Sequence, residues 1–108
     1  MKTRKITDLV GFSEDGPRRT TLYDSQSVWS QLICLQGSQM IGPVSDESSE
    51  GLVTVLAGEV AVQAGKGRAR MKQWETALVP RGQGLTVRNA SAEPSVVLLV
   101  LAPPPAQS

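Results

Sequence analysis

The chain has 108 residues, a formal net charge of +1 and no histidine. A chain of this length can bury a core as one domain, and its small net charge gives no field that would attract nucleic acid or an anionic membrane. The absence of histidine removes the commonest metal ligand and excludes nucleophilic triads built on an imidazole base. We therefore expect one domain, with neither nucleic acid nor a membrane as partner.

The N-terminal and cysteine patterns predict a cytoplasmic protein. The basic N-terminal segment is not followed by the apolar core of a signal peptide, and the longest apolar run, residues 96–102, is too short for a helix that spans a bilayer. The single cysteine, Cys34, cannot close an intrachain disulfide and lies among apolar residues. We expect a buried thiol in a reducing compartment.

Strand-like segments separated by turn signals predict an all-β domain. No stretch has the period of a long helix, and after position 50 the segments recur about every ten residues, which is typical of a sandwich or a closed barrel. The predicted strands are residues 20–23, 28–35, 52–56, 59–64, 68–72, 75–79, 85–89 and 95–101.

Three connections in this pattern matter for the fold. Residues 42–51 are polar and predict a long loop or an irregular edge. The pair Ala57-Gly58 predicts a tight hairpin that joins 52–56 to 59–64. The last strand is apolar at every position after Ser95, so an N-terminal segment or a second subunit must cover its outer face. We expect a homodimer from this strand and from the irregular N-terminal segment.

The segment Leu52 to Val62, followed by Ala77 to Gly82 and then Asn89, resembles the two conserved motifs of the cupin family. The resemblance implies a double-stranded β-helix, or jelly-roll barrel, over residues 28–103. An N-terminal arm of residues 1–27 would precede this barrel, and a tail of residues 104–108 would follow it.

In cupins the two motifs supply histidines and a glutamate that hold a metal ion. With Gly58 set on the last glycine of the first motif, the ligand positions of this chain hold Val44, Asp46, Gly51 and Leu85. Of these four residues, only Asp46 has a side-chain atom that can bind a metal ion. A shift of one residue would bring Glu50 to the glutamate position, but a single carboxylate does not hold a transition metal. We therefore expect neither a metal nor a cofactor.

The same comparison gives the candidate ligand pocket, for which several interpretations stay open. Trp29 either packs in the core or, beside Gln31, forms the floor of a pocket. The acids at positions 46, 47 and 50 form a solvated loop, contact a small ligand or bind a hard metal ion. Leu85 makes the centre apolar, so the cavity either holds a hydrophobic molecule or is filled by the protein. The pocket candidates are Trp29, Gln31, Val44, Asp46, Glu50, Gly51 and Leu85.

The sequence leaves three functions open. The first is metal-free binding of a small organic molecule in the barrel, or a structural or sensory role, without catalysis. The second is a metal-independent isomerase or lyase acting on a small carbohydrate or organic acid through Asp46 or Glu50. The third is a protein-interaction module that uses a basic strand face, although such a face also fits a role limited to discouraging edge aggregation. That face carries Lys66, Arg68, Arg70 and Lys72.

Overall fold

The computed structural model describes residues 1–105, so residues 106–108 of the predicted tail lie outside the described residues. Within this range the chain forms a short 3-10 helix at Ile6–Asp8 and nine strands. The strands are β1 (Arg18–Asp24), β2 (Trp29–Leu35), β3 (Met40–Val44), β4 (Glu50–Ala57), β5 (Glu59–Ala64), β6 (Gly67–Lys72), β7 (Thr76–Val79), β8 (Leu85–Asn89) and β9 (Ser95–Ala102).

The strands form two antiparallel sheets, which confirms the all-β prediction. One sheet, here sheet A, has the order β1-β2-β9-β4-β7, and the other, sheet B, has the order β3-β8-β5-β6. Alternate residues of each strand point between the sheets because side chains along a strand alternate between its faces. The core between the sheets includes Ile33, Val53, Val55, Val60, Val62, Val87, Val97 and Leu99.

A second apolar cluster covers the outside of sheet A. Leu32, Cys34 and Val96 are buried there, and Ile6, Leu9 and Phe12 of the N-terminal segment are among the residues that pack against them. Of the two covers expected for β9, the structure therefore has the N-terminal segment. Cys34 is buried, as predicted.

Hydrogen bonds hold the N-terminal segment in this position. The Arg4 guanidinium donates to the carbonyl oxygens of Thr21 and Leu22 at 3.2 and 3.0 Å. The side-chain amide of Gln39 donates to the carbonyl oxygen of Ser13 at 2.7 Å. Within the described residues, no helix is long and apolar enough to cross a bilayer.

The hairpin predicted at Ala57-Gly58 is wrong. β4 pairs with β7 and β9 in sheet A, whereas β5 pairs with β6 and β8 in sheet B. Both edges of β4 are therefore occupied, and the chain crosses from one sheet to the other at Gly58. This glycine has a φ of +78°, a conformation that other residues rarely adopt.

The sequence predicts a long loop or an irregular edge over residues 42–51, and residues 42–44 do form an irregular edge, which leaves a loop of residues 45–49. Residues 40–44 form β3, which pairs with β8, and β4 already begins at Glu50. The sequence pattern did not predict β3 because Gly42 and Pro43 are residues that usually interrupt strands. Proline has no backbone N–H to donate to a neighbouring strand. Pro43 is tolerated because β3 is the edge strand of sheet B and has a neighbour on one side only.

Asn89 matches the asparagine of the second cupin motif and has a structural role. It is 2% exposed, and its amide donates to the carbonyl oxygens of Leu35 and Glu93 at 3.1 and 2.8 Å. Its side-chain oxygen accepts from the backbone N–H of Ser91 at 2.9 Å. The side chain thus fixes the connection between β8 and β9 to the end of β2.

The homodimer stays a prediction. Leu52 and Leu78 lie opposite each other on β4 and β7 and are 45% and 63% exposed on the outer face of sheet A. The N-terminal segment packs nearer the β2 side of that face.

We expect Gly58→Ala to destabilise the fold. A Cβ atom at this position would lie 2.6 Å from the carbonyl oxygen of Pro94, and the positive φ adds strain, so the free energy of unfolding should fall by at least about 2 kcal/mol. Urea denaturation measures the change. Gly37→Ala is the control, because Gly37 is exposed and its Cβ would meet nothing closer than 3.5 Å. Equal stability of the two variants would contradict the role of Gly58.

Candidate functional site

The barrel interior contains a small cavity at the predicted pocket position. Val44 and Leu85, paired across β3 and β8, line it from sheet B, and Gly51 lines it from sheet A. Asp46 also contributes to its wall. The volume is about 30 Å³, which accommodates about one water molecule. The structure therefore brings together four of the seven predicted pocket residues around a nearly closed space.

Apolar side chains of the protein fill the space that a ligand would occupy. Leu85 is 3% exposed, and Val79, Leu99 and Leu101 contribute to the same cavity wall. About 30 Å³ of open space remains beside Leu85, and whether a ligand enters it stays a prediction.

The other three pocket candidates lie outside this cavity wall. Trp29 is half-buried and packs against the core opposite Leu101. The side-chain oxygen of Gln31 accepts a hydrogen bond from Nε of Arg19 at 2.6 Å. Glu50 is exposed, since its neighbour Gly51 takes the inward position on β4.

The acidic loop is organised around Asp46. Its Oδ1 atom accepts hydrogen bonds from the backbone N–H of Ser48 at 2.8 Å and from the hydroxyl groups of Ser48 and Ser49. Glu47 and Glu50 are exposed. Across residues 1–105, no group of three or more acidic, cysteine or histidine side chains is placed so that it could hold a metal ion.

A larger and more open concavity lies on the outer face of sheet B. Ala61 of the inner strand β5 is paired with Arg88 of β8 on one side and with Arg70 of β6 on the other. In the adjacent row, Gln63 lies between Thr86 and Arg68. The small side chain of Ala61 between two long ones leaves a groove of about 430 Å³, here called the arginine groove, to which Met40 and Ala69 also contribute.

The arginine groove carries a concentrated positive charge. Arg68, Arg70 and Arg88 are exposed, and Arg70 forms a salt bridge with Glu59 at 2.9 Å. The sequence pattern predicted a basic face on β6 but did not predict that Arg88 of β8 contributes to it. Its outward position follows from the alternation of residues 85–89, but the pairing that brings β8 beside β5 is a long-range contact that a local pattern does not reveal.

Comparison with known proteins identifies the fold. No protein-family model matches the chain, and no curated protein matches it. Its structure is similar to that of TT1209 from Thermus thermophilus, with a TM-score of 0.91 and 28% identity over 97% of this chain and 100% of that one. It is also similar to an RmlC-like cupin protein from Desulfovibrio desulfuricans, with a TM-score of 0.82 and 20% identity over 96% of this chain and 98% of that one.

The chain has a cupin fold. A third similar structure is an uncharacterised conserved protein with a double-stranded β-helix domain from Klebsiella pneumoniae, which has a TM-score of 0.86 and 20% identity over 100% of this chain and 99% of that chain. The resemblance found in the sequence is therefore confirmed at the level of the fold.

The residues of this cupin barrel do not fit the metal that the fold implies. The ligand positions hold two apolar side chains, a glycine and Asp46, whose carboxylate already accepts hydrogen bonds from its own loop. A lone carboxylate in a 30 Å³ cavity lacks the donors that a transition metal needs. The donor set of this barrel therefore disagrees with a metal-dependent reaction.

We expect the purified protein to contain no stoichiometric transition metal, because its barrel offers too few donors. Elemental analysis checks this, and a chelator should leave the thermal midpoint unchanged, since removal of a metal bound only to the folded state would lower it. A bound metal ion at one per chain would contradict the assignment of these positions.

We also expect Leu85→Ala to destabilise the barrel. Removal of this buried side chain enlarges the cavity, so the free energy of unfolding should fall by about 2–5 kcal/mol. Leu78→Ala is the matched control: Leu78 is 63% exposed, and its loss should cost only about 0.5 kcal/mol. A similar cost for both variants in urea denaturation would show that Leu85 does not fill the interior.

Proposed function

We propose that this chain is a non-catalytic binding domain that holds an anionic ligand in the arginine groove, outside the barrel. The observation that carries the proposal is the row in which Arg88 and Arg70 flank the small residue Ala61. The proposal keeps the binding role expected from the sequence but moves it from the barrel interior, where about 30 Å³ is open, to a groove of about 430 Å³.

The spacing of the strands favours an anion between these two side chains. Neighbouring strands are about 4.8 Å apart, so the Cα atoms of Arg88 and Arg70 lie about 10 Å apart across Ala61. Arg70 pairs with Glu59 at 2.9 Å, but an exposed pair of this kind is weak, so both guanidinium side chains can bend towards a carboxylate or phosphate group held between them. A planar guanidinium group presents paired N–H donors that bind two oxygens of a carboxylate or phosphate group.

The rest of the groove supports the same chemistry. Gln63 and Thr86 supply neutral hydrogen-bonding groups, and Arg68 adds a third cation beside them. A volume of about 430 Å³ lies within the usual range of about 300–1,000 Å³ for small-molecule sites. The groove therefore suits a compact anion with more than one charged group.

The residues of the groove favour binding over catalysis. Arginine stays protonated at all physiological pH values, so it does not exchange protons as a general acid or base. The other groove residues are aliphatic, a thioether, an amide and a hydroxyl. The enzyme alternative depended on Asp46 and Glu50, which lie outside this groove.

Titration calorimetry with citrate at low ionic strength tests the proposal. Citrate should bind the wild-type protein, and Arg88→Gln and Arg70→Gln should each weaken binding by about tenfold or more, since a hydrogen bond between charged groups contributes about 1.5–3 kcal/mol. Added salt should also weaken binding because the site is exposed to solvent.

Arg81→Gln is the matched control for the loss of one cation. Arg81 is exposed in the turn after β7 and does not line the groove. It should leave citrate affinity nearly unchanged. If Arg81→Gln weakened citrate binding as much as Arg88→Gln, the binding would reflect overall charge, and the proposed site would be wrong.

A further inference from the structure

Two strands with free edges lie beside the arginine groove. β6 is the last strand of sheet B, and β7 is the last strand of sheet A. Between them lies a cavity of about 270 Å³, here called the seam, lined by residues that include Gly67, Ala69, Ala77 and Leu78. The seam and the arginine groove share three wall residues, Val62, Arg68 and Ala69.

The edge of β6 presents two kinds of side chain. Arg68 and Arg70 line the groove on the outer face of sheet B and are exposed, whereas Met71 is buried in the core. Ala69 lies two residues before Met71 and so is on the same, inward face of β6. It is nevertheless exposed. A strand added at this edge would therefore meet cations on its outer side and small apolar groups on its inner side.

We propose that an extended acidic segment of another protein docks in the seam as an added strand on β6. The inference goes beyond the proposed function, because the added strand would meet Arg68 and Arg70 from the open side of β6, away from Ala61 and Arg88. Backbone hydrogen bonds to the open edge of β6 would supply affinity, and the two faces of the added strand would supply specificity.

Alternation along the added strand defines the partner. Side chains directly opposite each other in an antiparallel pair have Cβ atoms about 4.5–5.5 Å apart, so carboxylates at every second position would lie beside Arg68 and Arg70. The intervening residues would point into the seam, against Ala69 and Ala77. The segment we expect therefore alternates acidic residues with small or medium apolar ones.

Charge argues for another protein over a second copy of this chain. Among the strands between residues 1 and 105, none alternates carboxylates with apolar residues, and the strand richest in alternation, β5, carries one acid at its first position. A second copy would therefore bring little negative charge to Arg68 and Arg70.

The test uses a synthetic peptide of about eight residues, the length of an ordinary strand, that alternates glutamate and valine. Backbone amide hydrogen exchange is measured by NMR with and without the peptide. We expect exchange to slow by at least about tenfold at the edge-facing amides of residues 67–72, because new ladder bonds must open before these amides exchange. Citrate should leave their exchange unchanged.

A peptide of the same composition with its glutamates in one block is the first control, and it should bind weakly without protecting β6. The second control is Ala77→Lys, which places a long side chain in the seam from β7 at a residue that does not line the arginine groove. This variant should bind citrate as well as the wild type and lose most of its affinity for the alternating peptide.

The outcomes separate the two proposals. If citrate does not bind the wild-type groove, the proposed function is wrong. If citrate binds but the alternating peptide does not protect β6, or if Ala77→Lys binds that peptide as well as the wild type, only the inference about the seam is wrong. If the protein is a dimer in which the β6 amides are already protected from hydrogen exchange without peptide, a second copy of the chain occupies the seam. That result would also overturn the inference.

Discussion

The fold depends on the need to cover β9 on both faces. This strand has no alternation of polar and apolar residues after Ser95, so its inner side chains, such as Val97 and Leu99, require one core and its outer ones, such as Val96, require another. At about 25 cal/mol per Å² of apolar surface removed from water, an uncovered face on a central strand would cost several kcal/mol. The chain meets this constraint within one molecule by laying its first residues over sheet A and fastening them through Arg4.

The packing inside the barrel limits the space for a ligand there to about 30 Å³. In a container fold the usual binding surface is internal, but here Leu85 closes the interior against Leu99 and Leu101. The acidic loop, which would otherwise be a natural set of ligands at the barrel mouth, folds around the carboxylate of Asp46 and joins the turn at Gly82 by a backbone hydrogen bond of 2.9 Å. A group of exposed cationic side chains lies instead on the outer face of sheet B, where β6 and β8 contribute arginines.

Local patterns in the sequence predict the strands better than their partners. Turn residues mark most strand ends, and the uniform apolar character of β9 predicts a cover on both faces. The order of strands in each sheet does not follow from such patterns, which is why the sequence predicts a hairpin at Gly58 and misses Arg88. Alignment with the cupin motifs brings Val44, Gly51 and Leu85 to one cavity, but the volume of that cavity depends on long-range packing.

The position of Arg88 decides between two explanations of the basic face. Positive charges on an edge strand discourage association with other strands, and this purpose alone would account for Arg68 and Arg70 on β6. It does not account for Arg88, because β8 is an inner strand with β3 on one side and β5 on the other. A cation there guards no open edge. It lies across Ala61 from Arg70, whose guanidinium already pairs with Glu59. An anion bound beside Ala61 would give Arg88 a role that edge protection does not.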